Sequence, residues 1–151
     1  MAELARSFQR EIITAADVAR GASRLLLAEG LRPILECTLP NGRRLDIAAL
    51  APDGSIIGVE IKVSLADLRA DGKWRDYVAY CDLFFFAAPP EFPQAALPSD
   101  TGLIVADRFG GAIVRESPKA TVAPARRRAL TLKFAMVAAE RLARTLDPNC
   151  V

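Results

Sequence analysis

Two turns within residues 35–63 constrain the fold of this chain more than any other feature. Each has a three-residue loop that begins with proline and ends with glycine: Pro40-Asn41-Gly42 and Pro52-Asp53-Gly54. Proline is favoured at the first central position of a type I turn, and glycine at the left-handed position that closes the loop. The segment is therefore predicted to form three antiparallel strands whose register is set by the turns.

Loop length determines which residues face one another. Three loop residues place Leu39 opposite Arg43 in the first hairpin and Ala51 opposite Ser55 in the second. Counting back along the strands then predicts one row of acidic side chains on three neighbouring strands: Glu36, Asp46 and Glu60.

The acidic row has two interpretations. Like charges on directly opposed strand positions destabilise a sheet, and a divalent cation would explain them, since Mg²⁺ and Mn²⁺ prefer oxygen ligands. Side-chain alternation places Lys62 on the same face as Glu60. The alternative is a solvated sheet face on which Arg44 and Lys62 pair with the acids. Spacing alone leaves both interpretations open.

Length and composition favour one soluble globular domain spanning residues 1–151. The balance of 52% hydrophobic and 25% charged residues is typical of such domains. The net charge of +2 is too small to indicate a polyanionic partner by itself. No apolar run reaches the roughly 18 residues of a membrane span, so no membrane association is predicted.

The contents of histidine and cysteine exclude several chemistries. The chain has no histidine, which removes Ser-His-Asp catalysis, His-ligated zinc and histidine-based nuclease mechanisms. Its three cysteines are widely spaced without a CxxC pair, so neither a disulfide framework nor a zinc site is indicated. A reducing cytoplasm is the expected location.

The flanking segments predict helices and further strands. Capping residues begin helices at Thr14 and Ser64; Gly30 ends the first, and Gly72 bends or breaks the second. The apolar run 82–88 predicts a central strand covered on both faces. The remaining predictions are a short leading helix within 1–13, a hairpin of 101–106 with 112–115, and a last helix from Pro124 to about Leu146.

Three consecutive arginines, Arg126, Arg127 and Arg128, fall in the first turn of that last helix. Cations there oppose the helix dipole, and contact with phosphate would explain their position. A solvated charge cluster is the alternative, because a short basic run is nonspecific.

The order of these elements resembles the αβββαβ core of the restriction-endonuclease-like PD-(D/E)XK nuclease superfamily. The resemblance rests on Asp46 and on the tripeptide Glu60-Ile61-Lys62. It implies an α+β fold with a mixed central sheet flanked by helices, two metal-binding acids and a catalytic lysine. Lys73-x-x-x-Tyr77 also resembles the Gln-x-x-x-Tyr motif of some branches, with lysine in place of glutamine.

A longer pattern is similar to the bacterial MmcB-type family of DNA repair proteins. It comprises GRRLDIAAL at 42–50 and VEIKVSLADLRADGKWRDYVAYCDLFFFA at 59–87. The similarity implies a role on DNA, and with the superfamily pattern it favours a metal site over a solvated face.

The expected function is therefore a Mg²⁺- or Mn²⁺-dependent endonuclease or exonuclease that acts on DNA during repair. Asp46 and Glu60 would bind the cation, with Glu36 binding it or one of its waters and the Ile61 carbonyl as a further ligand. Lys62 would orient the attacking water or neutralise developing charge. The residues expected to contact nucleic acid are Arg44, Lys73, Tyr77, Arg126, Arg127 and Arg128.

Two other classes of function stay open. One is a catalytically idle nuclease-like domain that binds DNA or a repair-protein partner. The other is a metal-independent interaction protein whose acidic row is part of its surface. A homodimer is also compatible with the sequence.

Overall fold

The structure, a computed structural model, describes residues 11–150. Most of the predicted leading helix within 1–13 lies outside these residues, and 11–13 are not helical. The helices are α1 Ala15–Ala28, α2 Leu65–Ala70, α3 Arg75–Val78 and α4 Pro124–Leu146. The strands are β1 Arg32–Thr38, β2 Arg44–Leu50, β3 Ile56–Ile61, β4 Leu83–Ala88, β5 Gly102–Ala106 and β6 Gly111–Arg115.

All six strands form one mixed sheet in chain order, β1 to β6. β1, β2 and β3 are antiparallel, β4 and β5 run parallel to β3, and β6 is antiparallel to β5. The α+β fold class predicted from the sequence, with its mixed sheet flanked by helices, is thereby confirmed. No helix within residues 11–150 is long and apolar enough to cross a bilayer.

Both predicted turns have the expected geometry. The Leu39 N–H donates to the Arg43 carbonyl at 2.6 Å, and the Ala51 N–H donates to the Ser55 carbonyl at 3.0 Å. Each loop closes on a glycine with positive φ, 82° and 85° respectively, as the turn type requires. The predicted hairpin register is therefore confirmed.

Helix α1 covers one face of the sheet. Thr14 and Asp17 form the predicted capping box, and the apolar side of α1 packs on β2, β3 and β4 in what we call the α1-side core. Gly21 permits close approach to the β5–β6 turn, because a Cβ at this position would lie 1.8 Å from the Asp107 carbonyl oxygen.

The helices α2, α3 and α4 cover the opposite face, where they form the α4-side core. Trp74 from the segment before α3 packs there against Phe84 and Phe86 of β4, and Phe134 from α4 belongs to the same core. The intervening Phe85 faces the α1-side core, so the central strand is buried on both faces as predicted. The helix after β3 is broken between Ala70 and Arg75, around Gly72.

Strand alternation is interrupted where β1 and β2 pass the predicted acidic row. Leu45 packs in the α4-side core and Ile47 in the α1-side core, although residues two apart on a strand normally share a face. The pairs Leu35–Ile47 and Cys37–Leu45 flank the interruption without a register shift. Between them Glu36 has a φ of 50°, in the left-handed region.

Candidate metal and nucleic-acid site

One cavity of about 450 Å³ brings together the residues predicted for metal binding and catalysis. It lies between the start of α1, the strands β1 to β3 and the start of α2. The polar side chains and strand residues that line it are Leu35, Glu36, Asp46, Glu60, Ile61, Lys62 and Asp67.

Asp46 and Glu60 each bind the backbone of the facing strand. The last β2–β3 pair is Ile47–Val59, so Asp46 and Glu60 are the next residues in that register. The Asp46 N–H donates to Glu60 Oε1 at 3.1 Å, and the Ile61 N–H donates to Asp46 Oδ2 at 2.7 Å. Side-chain oxygens thus replace the carbonyls of the ladder and hold the two carboxyls side by side.

Burial makes this pair of carboxyl groups electrostatically costly. Glu60 is only 5% exposed; its burial and the charge of Asp46 raise its pKa. Burial also raises the pKa of Asp46, although the Ile61 N–H opposes the shift. The solvated-face interpretation does not fit, because Glu60 and Lys62 are buried and Lys62 is paired elsewhere.

The partner of Lys62 is Asp71, which lies at the carboxyl end of α2. The Lys62 ammonium is 2.8 Å from Asp71 Oδ2. Burial alone would lower the pKa of Lys62, but Asp71, Asp67 and Glu60 raise it, and the net shift is upward. The lysine is therefore held charged at the wall of the cavity.

Asp71 was not predicted from the sequence. It lies nine residues beyond Lys62 and reaches the lysine because α2 ends at Ala70. The helix-breaking Gly72 was the only sequence signal for that end, and it does not indicate which side chain turns back toward the strand.

The other predicted contacts are distributed around the cavity and beyond it. Glu36 is exposed, and its carbonyl accepts a hydrogen bond from Arg141 of α4 at 3.0 Å. Arg44 and Lys73 are exposed and have no ion pair with any residue in 11–150. Tyr77 stacks on Phe84 with ring centroids 6.5 Å apart, and burial with the nearby acids raises its pKa to about 12.

The three arginines of α4 have different environments. Both terminal nitrogens of Arg127 donate to Asp82 at 2.7 Å, and one also donates to the Gly54 carbonyl. Arg126 lies over the Tyr80 ring at 5.5 Å, whereas Arg128 is exposed. Arg127 thus stabilises the fold, whereas Arg126 and Arg128 are exposed.

The donor chemistry of the cavity fits Mg²⁺ or Mn²⁺. Within residues 11–150 no three acidic or sulfur side chains are already arranged to hold a metal ion. These cations need fewer, because one or two carboxylates suffice when waters and substrate fill the remaining positions. Asp46 and Glu60, with the Ile61 carbonyl, are the residues that would hold one.

Fold and cavity together define an α+β protein with a buried Glu60, a buried Lys62 and a partly buried Asp46 at one end of a mixed sheet. Residues 3–149 match the family model described as "DNA repair protein MmcB-like", and the chain belongs to this MmcB-like family. A solved structure from Silicibacter pomeroyi, a protein of unknown function, is 42% identical with a TM-score of 0.88. The match covers 91% of this chain and 94% of that one. No curated protein matches the chain.

Proposed function

We propose that this protein is a PD-(D/E)XK-type, divalent-metal-dependent phosphodiester hydrolase that acts on DNA during repair. The observation that carries the proposal is the shared cavity of Asp46, Glu60 and Lys62, which occurs on the αβββαβ order of elements. Membership of a DNA repair family supports DNA as the substrate.

Each residue of the cavity has a chemical role in this proposal. A bound divalent cation would lower the pKa of a coordinated water and neutralise charge on the phosphate. Asp46 and Glu60 are already oriented as ligands by the backbone bonds that fix them. Lys62 would donate hydrogen bonds to the attacking water or to a phosphate oxygen, and Asp71 keeps it charged for that role.

The route of the substrate follows from exposure. Glu36 lies at the solvent side of the cavity and would bind a water of the metal or the metal itself. Arg44 and Lys73, which are exposed, would contact the flanking phosphates. Arg126 and Arg128 lie at the start of α4, at the end of β3 and β4 opposite the cavity, and would contact phosphates farther along the DNA.

A catalytically idle domain that binds DNA is the second candidate. It is favoured by a specific feature, since Asp46 and Glu60 each accept a backbone hydrogen bond and Lys62 is ion-paired with Asp71, all without a metal. The two candidates differ in whether the bound DNA is cut.

A cleavage panel separates them. Single-stranded, duplex, flap and nicked DNA would be incubated with the protein in Mg²⁺, in Mn²⁺ and in excess chelator. We expect metal-dependent cleavage that Asp46→Ala abolishes and that Lys62→Gln lowers without changing metal affinity. Asp100→Ala, an exposed acid outside the cavity, is the matched control and should cut normally.

Either of two results contradicts the proposal. Cleavage that persists in chelator excludes the metal mechanism. DNA binding without cleavage of any substrate in either metal establishes the second candidate instead.

The salt dependence of DNA binding tests the arginines of α4. Replacing Arg126 and Arg128 by Gln should reduce the slope of log K against log salt by roughly 0.7–0.9 for each lost phosphate contact. Arg20→Gln, on the opposite face of the sheet, should leave the slope unchanged. Equal slopes for the wild type and both variants would show that Arg126 and Arg128 do not contact phosphate.

A further inference from the structure

The side of α4 that faces away from the sheet is apolar. Of its 23 residues only Leu130 and Phe134 are buried. Four large apolar side chains are instead 61% to 78% exposed: Leu132, Met136, Leu142 and Leu146. A surface helix normally presents polar residues to water. Helix α4 instead has apolar residues on two opposite sides, one packed on the sheet and the other exposed.

The exposed apolar residues follow coiled-coil spacing. Intervals of three and four alternate along what we call the α4 seam, which consists of Ala129, Leu132, Met136, Ala139, Ala143 and Leu146. This is the a/d pattern of a helix that packs along another helix. At about 100° per residue, Leu132 lies roughly 160° around the helix from the buried Phe134.

Large and small residues alternate in the α4 seam, which determines how it can pair with itself. In an antiparallel pair of α4 helices every large side chain meets an alanine of the other copy: Leu132 meets Ala143, Met136 meets Ala139 and Leu146 meets Ala129. A parallel pair would set each residue against itself, which crowds leucines in some layers and leaves gaps between alanines in others.

The charges beside the α4 seam agree with the antiparallel arrangement. On the flank that contains Lys133 and Glu140, this register brings Lys133 of one copy near Glu140 of the other. Opposite charges at flanking positions set partner choice and orientation in coiled coils. Glu140 is also 2.7 Å from Arg144 of its own helix, so in the dimer it would lie between Arg144 and Lys133 of the other copy.

We infer that α4 is a dimerisation helix and that two copies of the chain associate antiparallel through the α4 seam. All six seam positions are apolar, so the seam offers no group to a phosphate, which argues against nucleic acid as its occupant. One helix from each copy makes an interface below the usual 1,200–2,000 Å². The dimer is therefore expected to dissociate at micromolar concentrations.

Sedimentation velocity on the full chain tests the association. The wild type should shift from monomer to dimer as concentration rises, and Met136→Glu should weaken the dimer at least a hundredfold without lowering the melting temperature. Thr131→Glu adds the same charge to an exposed position of α4 outside the seam and should dimerise normally. A wild type that stays monomeric up to about 1 mM overturns the inference, as does a dimer that Met136→Glu leaves intact.

Disulfide trapping tests the register, in a Cys150→Ser background that removes the exposed thiol. Leu132→Cys with Ala143→Cys should link two copies, whereas either cysteine alone should not. In the antiparallel register the two copies of residue 132 are about 16 Å apart, beyond disulfide reach. Efficient linkage by Leu132→Cys alone would instead show a parallel pair.

Charge exchange gives an independent check. Lys133→Glu should weaken the dimer roughly tenfold at low salt, because the new carboxylate of each copy then lies beside Glu140 of the other. Adding Glu140→Lys to the same chain should restore the wild-type affinity. Failure of the double exchange to recover affinity would contradict the antiparallel contact.

Discussion

The parallel strands β3 and β4 bury charge at both of their ends, in opposite ways. At the amino end, Asp82 accepts hydrogen bonds from the Ile56 N–H at 2.7 Å, the Val122 N–H at 3.2 Å and both terminal nitrogens of Arg127. The Arg127 guanidinium, aided by the two N–H donors, lowers the pKa of Asp82 to about 2. At the carboxyl end, burial raises the pKa of both Asp46 and Glu60.

The difference lies in how many donors surround each carboxylate. Asp82 has a full set, so its charge stabilises the fold and ties the amino end of α4 to the sheet. Asp46 and Glu60 share one cavity, and Lys62, whose charge lowers the pKa of both only in part, forms its ion pair with Asp71. Buried carboxyls with perturbed pKa values and incomplete neutralisation are typical of functional sites.

The largest expected effect is the loss of the structural carboxylate. Asp82→Ala leaves Arg127 and two backbone N–H groups without their acceptor, and should lower the free energy of unfolding by about 3 kcal/mol or more. Asp46→Ala should cost much less in chelator. Urea unfolding of both variants measures how much free energy of unfolding each one loses. Equal losses would show that Asp82 and Asp46 do not differ in their contribution to stability.

Acid should remove the same contribution from the wild type. An Asp with an ordinary pKa near 3.9 when unfolded and about 2 when folded stabilises the protein above the higher value, and that stability is lost as pH falls toward the lower one. The loss should be about 2 kcal/mol between pH 5 and pH 2. Asp82→Asn should lack this component of the acid transition in parallel melting curves. Superimposable pH profiles would show that Asp82 does not act through its charge.

Local signals made much of the fold predictable. The turns Pro40-Asn41-Gly42 and Pro52-Asp53-Gly54 set the hairpin register, and the capping box of Thr14 and Asp17 set the start of α1. These predictions succeed because turn and cap preferences depend on neighbouring residues. The same register brought Asp46 and Glu60 side by side, and the burial of both faces of β4 followed from its continuous apolar run.

Long-range contacts were beyond the sequence. The Asp82–Arg127 pair joins residues 45 apart, and the sequence alone presented Arg127 as equivalent to its neighbours. The Lys62–Asp71 pair depends on where α2 ends. The left-handed conformation of Glu36 could not be foreseen either, because it accompanies a change from one core to the other between Leu45 and Ile47 of the facing strand.

Mg²⁺ should stabilise the protein by binding Asp46 and Glu60, and Asp82 should not contribute to this effect. If the wild type binds Mg²⁺ with a Kd near 1 mM, 10 mM adds about 1.4 kcal/mol to the free energy of unfolding. For a chain of this length that raises the Tm by roughly 3–6 °C. Asp46→Asn should gain far less, while Asp82→Asn should gain as much as the wild type. Differential scanning calorimetry with and without Mg²⁺ gives the comparison, and a wild type that ignores the metal argues against the site.

The smallest expected effect is that of Asp46→Asn in chelator. It has the opposite sign to the effect of the Asp82 substitutions, because Asp46→Asn should stabilise the protein. Asp46→Asn keeps the shape of the side chain and an oxygen for the Ile61 N–H, but it removes one charge from a buried acidic pair. In chelator the variant should therefore melt at or above the wild-type temperature, with a gain in the free energy of unfolding of less than about 1 kcal/mol.

The pH dependence of this gain follows from Glu60. Because its pKa is raised in the folded state, the folded wild type retains a proton that the unfolded chain has lost. The stability of the wild type therefore declines as pH rises from the unfolded to the folded pKa of Glu60. The advantage of Asp46→Asn should thus be greater at about pH 8 than at about pH 5. A variant that is clearly less stable than the wild type at both pH values would make Asp46 a structural residue like Asp82, and the proposed metal site would lose its main support.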